Sequence, residues 1–106
     1  MHRYLFVESN PPLGSTDTRV LRDALRVVET GRAEVTVGLV EGGVMAAVTK
    51  HPVLDQLGAN GAEIGVDAFS LAQWGFGGDD VPKLSLTTME WLLDRMLDAN
   101  STVVWH

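Results

Sequence analysis

Cysteine is absent from all 106 residues. That removes thiol nucleophiles, persulfide carriers, disulfides, thiolate zinc sites and iron–sulfur clusters from the chemistry open to this chain. Basic residues are also scarce, eight against fourteen acidic ones, for a formal net charge of −6. Arg19, Arg22, Arg26 and Arg32 are the only loose basic group, and their spacing of three, four and six residues reads as a solvated helix face. Without clustered Lys and Arg to displace counterions, nucleic acid is not an expected partner. The three histidines, His2, His51 and His106, are too far apart for a metal-binding spacing, so no metal and no cofactor is expected. No apolar run approaches the roughly 20 residues that span a bilayer, which excludes a membrane helix. MHRYLFVES is broken early by Glu8 and reads as a first strand rather than a signal peptide. The expected location is the cytoplasm.

What is present fits one globular domain over residues 1–106, with 45% hydrophobic and 21% charged residues. Tyr4–Val7 is rich in strand formers and is stopped by Ser9-Asn10-Pro11-Pro12. Thr16 or Asp17 is positioned to cap a helix carrying Val20, Leu21, Ala24, Leu25 and Val28, and Gly31 to end it. Val35, Val37 and Leu39 have small or apolar neighbours, as in a strand covered on both faces. After Glu41-Gly42-Gly43, Val44–Lys50 is helix-compatible, Pro52 opens a further turn through Leu57, and Asn60-Gly61 closes it. Ile64 and Val66 mark a third strand, Ser70–Trp74 a short helix, and Gly75–Pro82 a loop. Thr87 and Glu90 have the spacing of a capping box at the head of an amphipathic helix with Trp91, Leu92, Met96 and Leu97. Thr102–Trp105 supplies a last strand.

Strand–helix alternation of this kind predicts a small α/β sandwich, with a four- to five-stranded, mostly parallel sheet and helices on both faces. A sheet this small leaves apolar surface to cover. Trp74, Phe76 and Trp91 therefore suit either the core or an oligomer interface.

The opening YLFVES strand, the EGGV after the second strand, the third strand and turn VDAFSLAQWG, and the final STVVWH follow one another in a telling order. In that order, over nearly the whole chain, the sequence resembles the DsrE/DsrF-like sulfur-relay family, which includes the TusD-type subunits. The resemblance implies an α/β fold and assembly as a homo-oligomer, whether dimer, trimer or hexamer. It also implies a persulfide-bearing cysteine near the end of the third strand. Counted back from Gly75, that position falls on Asp67, or on Ala68 with a slip of one residue. A carboxylate cannot hold a persulfide. The chain thus reads as a cysteine-free relative: a non-catalytic oligomeric binding or assembly domain, or an accessory subunit working beside a cysteine-bearing partner.

The alternative is a small-molecule binder or acid–base enzyme at the carboxyl ends of the strands, where ligands collect in open α/β sheets. Asp67 is the candidate catalytic group there, as a general base or ligand anchor. Its plainer role is to cap the helix that follows. Asn10 and Ser15, in the loop Glu8–Thr18, offer polar groups near a helix start, although there is no P-loop lysine and Glu8 and Asp17 would repel an anion. Glu41, Gly42 and Gly43 allow close backbone approach to a ligand, or simply a tight turn. Glu41 and Asp67 would pair as carboxylates if their strands are adjacent. His51, beside Pro52, reads as a surface or capping residue, His106 as a frayed or incidental one, and Asp79-Asp80 as part of a solvated loop.

Overall fold

Two of the sequence-predicted punctuation marks fix the frame. Gly31 takes a left-handed backbone (φ 68°) just past the first helix, and Pro52 is the first residue of the third. The computed structural model describes residues 1–106, the side chain of Ser15 excepted. Five strands, β1 (His2–Glu8), β2 (Ala33–Leu39), β3 (Glu63–Asp67), β4 (Ser85–Thr87) and β5 (Ser101–Trp105), form one sheet in the order β4-β3-β2-β1-β5. Every pairing is parallel. The helices are α1 (Arg19–Glu29), α2 (Met45–Val48), α3 (Pro52–Ala59), α4 (Ala68–Gln73) and α5 (Met89–Met96). Among the described residues, no helix is long and apolar enough to cross a membrane.

The strand order dictates the layers. From β1 to β4 the chain steps in one direction, so right-handed crossovers place α1 to α4 on one face. The return from β4 to β5 reverses direction and puts α5 alone on the other. The larger core follows this division: Phe6, Val37, Leu39 and Val66 of the sheet pack with Leu21 and Ala24 of α1, Leu57 of α3 and Leu71 of α4. The smaller core joins Leu5, Val7 and Val40 to Leu92 of α5, with Trp91 and Met96 packed against it.

The seat of α5 depends on a missing side chain. A Cβ on Gly65 of β3 would lie 2.6 Å from Trp91 Cη2, well inside contact distance. The Trp91 indole therefore lies directly on the sheet, and the Arg95 guanidinium stacks over it at 4.1 Å. Of the three aromatic residues assigned to core or interface, Trp91 and Phe76 pack against the cores, while Trp74 is exposed.

Three local expectations are corrected. Ser85–Thr87, within a stretch given no strand by its sequence pattern, forms β4, with Thr87 in register with Asp67. Thr87 is thus part of a strand, and the helix cap moves one residue on: the Thr88 hydroxyl accepts from the Trp91 N–H at 3.2 Å. Neither Thr16 nor Asp17 caps α1. Ser15–Thr18 is a 3-10 turn leading straight into the helix, and the Thr18 hydroxyl accepts from Arg22.

Candidate functional site

Parallel strands deliver their last residues to one edge, and five chain segments meet there. β1 ends on Glu8 and β3 on Asp67, while β5 leads into His106. The turn after β2 carries Glu41, Gly42 and Gly43, and the loop after β1 carries Asn10. Ser15 lies outside the described side chains.

Asp67 is only 7% exposed and is the N-cap of α4. Its Oδ2 accepts the Ser70 N–H at 3.0 Å and the Ser70 hydroxyl at 2.6 Å. The Ser70 oxygen in turn accepts the Glu41 N–H at 2.8 Å. Glu41 and Asp67 thus lie on neighbouring strand ends, but the link runs through the Glu41 backbone and Ser70 rather than through two carboxylates. The crevice that Asp67 lines beneath Trp91 and Met89 is too narrow to admit a water molecule. The Asp67 carboxylate holds a helix start in this geometry, a role worth about 1 kcal/mol.

Gly42 and Gly43 are buried because backbone passes against them. A Cβ on Gly43 would lie 1.9 Å from the Glu8 carbonyl oxygen, and one on Gly42 would lie 2.8 Å from Pro11 Cδ. Glu41 has a positive φ of 50° and an exposed side chain. The EGG turn therefore grips the exit of β1, with the Val40 N–H donating to the Glu8 carbonyl at 3.0 Å.

Glu8 completes the row. Its residue is 1% exposed, yet it carries a carboxylate. Both carboxylate oxygens lie 2.9 Å from His106 Nδ1, and Oε2 also accepts the Asn10 N–H at 3.0 Å. An ionised carboxylate can only accept, so Nδ1 is the ring nitrogen that donates to Glu8. The His106 side chain is 37% exposed. Its backbone is fastened as well: its N–H donates to the Val7 carbonyl, and its carbonyl accepts from both the N–H and the hydroxyl of Ser9. His106 is therefore neither frayed nor incidental. A carboxylate orienting an imidazole in this way is the arrangement that makes histidine a proton acceptor in hydrolytic sites. It lies between β1 and β5, where the strand order reverses and where open α/β sheets hold their ligands. Sequence reasoning missed it because the partners lie 98 positions apart. A glutamate closing an apolar strand run was the one available signal.

His51 caps α3, its Nδ1 accepting from the Val53 N–H at 3.2 Å. At the opposite edge of the sheet the charges answer one another: Arg3 meets Asp98 at 2.6 Å and Glu34 at 2.9 Å, and Arg95 meets Glu63 at 2.8 Å. The Asn100 N–H and then Arg3 hold the Asp98 carboxyl below its ordinary value. Among the described residues, no group of three or more His, Asp or Glu gathers around a point where a metal ion would fit.

No family model matches the chain. No curated protein matches it either. Solved structures share its fold from end to end. YchN from E. coli superposes with a TM-score of 0.88 at 18% identity, each chain covering the other completely. MTH1491 from Methanobacterium thermoautotrophicum, a protein of unknown function, gives 0.78 at 15% identity, again over all of both chains. BT1422 from Bacteroides thetaiotaomicron, also of unknown function, gives 0.77 at 12% identity over 99% of this chain and 95% of that one.

Proposed function

We propose that this chain is a cysteine-free relative of the DsrE-like proteins that acts in the cytoplasm as a homo-oligomeric binding or assembly domain, not as a sulfur carrier. The order of its sequence motifs and the end-to-end fold match to YchN support the kinship. The observation that carries the assembly reading is the uncovered flank of α5. Met89, Leu93 and Leu97 recur every four residues and are exposed, Leu97 by 80%. Leu5 and Val7 of β1 pack against Leu92 of α5, and their register partners on β5 share that face of the sheet. There Val103 and Trp105 of β5 are also exposed, Trp105 by 50%. An apolar helix stripe beside an apolar strand face is self-complementary, which is what a two-fold contact between identical chains requires. Such a contact needs no pairing of opposite charges between copies that each carry a net charge of −6.

Light scattering at micromolar concentration tests this reading. The wild type is expected to be larger than a monomer, and Leu93→Asp combined with Leu97→Asp to be monomeric with its circular dichroism unchanged. A strictly monomeric wild type would overturn the proposal.

The Glu8–His106 pair favours one second reading, a small-ligand or proton-transfer site at the β1–β5 switch point rather than at Asp67. A thermal-shift screen of small alcohols and carboxylic acids distinguishes the two positions. Under this reading, stabilising compounds lose their effect in His106→Gln and keep it in Asp67→Asn. Compounds indifferent to His106 would dismiss it.

A further inference from the structure

Away from the carboxyl edge, a cavity of about 130 Å³ opens between the α2–α3 junction and the segment leading into β4. Its lining is mostly apolar, with Leu54, Val81 and Leu84 among its residues, and it also includes Lys50, Lys83, Asp55 and Asp80. An apolar cavity of about 150 Å³ admits a benzene ring, so this one, open on one side, is of a size for a single ring or short chain.

The charged residues differ in what already occupies them. Asp80 Oδ2 accepts the Gly77 N–H at 2.9 Å, and Asp55 lies in the first turn of α3, where a carboxylate complements the helix dipole. The two lysines have no such engagement: among the described residues, neither Lys50 nor Lys83 has an ion-pair or side-chain hydrogen-bond partner. Lys50 also stands where glycine is the ordinary choice. α2 ends with the His51 N–H donating to the Ala46 carbonyl and the Lys50 N–H to the Ala47 carbonyl, a Schellman turn whose penultimate residue is left-handed. Lys50 accordingly has φ 56°. Both lysine side chains are exposed at the rim of this cavity, where each can meet an anion without breaking an existing ion pair.

We infer that this cavity binds a small monocarboxylate with an apolar ring or short chain, its body on Leu54, Val81 and Leu84 and its charge beside Lys50 and Lys83. Asp55 and Asp80 nearby disfavour a dianion, so phosphate and phthalate are not ligands. The test is methyl-resolved NMR of the full chain titrated with benzoate. Shifts are expected at the Leu54, Val81 and Leu84 methyls, with affinity weakened about threefold to fivefold in Lys83→Gln and in Lys50→Gly. Lys50→Gly is expected at the same time to raise the melting temperature, because it relieves the left-handed turn. That opposition of binding and stability separates a ligand role from a structural one. Methyls unmoved by millimolar benzoate, benzylamine binding as well as benzoate, or both variants binding like the wild type would each overturn the site.

Discussion

Asp67 and Glu8 are both acids at the ends of parallel strands, buried at the same edge of one sheet, yet only Glu8 has a side-chain partner from the far end of the sequence. Asp67 is satisfied by Ser70, three residues on, within the helix that it starts. Glu8 is satisfied by Asn10 and by His106, 98 residues away. The first contact forms as soon as α4 does. The second exists only when β5 has docked on β1. A carboxylate answered locally is explained by the element it begins, whereas one answered across the fold needs a reason beyond local structure. Here that distinction moves attention from β3 to the β1–β5 junction.

The sharpest way to break the comparison is to separate the two regions at their hinge. Gly43→Ala drives a methyl into the Glu8 carbonyl. It is expected to cost more than about 3 kcal/mol in chemical denaturation, enough to threaten folding. Glu8→Ala comes next, at roughly 2 kcal/mol: it opens a small void and strands the Asn10 N–H, but leaves an imidazole that water can reach. A double-mutant cycle with His106→Ala is expected to show coupling of about 1 kcal/mol, and additivity would mean that the pair does not interact. Asp67→Ala is expected to cost about 1–2 kcal/mol, whereas Asp67→Asn, still a good cap, costs only tenths; equal losses in the two would argue against a capping role.

The smallest effect uses a half-buried carboxylate at the opposite edge as a reference. The Asp98 carboxyl titrates below its ordinary value because it accepts from the Asn100 N–H and from Arg3. Its contribution is therefore present above the ordinary carboxylate range and is lost as pH falls through the lowered value of the folded state. Stability–pH curves of wild type and Asp98→Asn are expected to converge at low pH and to separate slightly above it.

Residues whose conformation is set by near neighbours were legible in the sequence. Gly31, Pro52 and Asn60-Gly61 punctuate helices at the positions expected, and the alternation of elements leads to the parallel sheet that is observed. The capping role of Asp67 was visible for the same reason. β4 was not, because three residues at a sheet edge become a strand only when β3 offers them a ladder. The same pairing takes Thr87 out of the cap and leaves the role to Thr88, and two adjacent threonines cannot be told apart without it. The Glu8–His106 contact lay furthest from view, since nothing local to either residue indicates the other.

The position of β1 has a consequence for how the molecule comes together. β1 is interior, with β2 on one side and β5 on the other, and its apolar residues fill both cores. On the ribosome its outer edge therefore remains open, with unpaired N–H and C=O groups, until residues 101–105 have emerged. For that interval the nascent protein presents the kind of bare strand margin that invites pairing with a stranger. Late closure of this seam is where a chaperone would have most to protect.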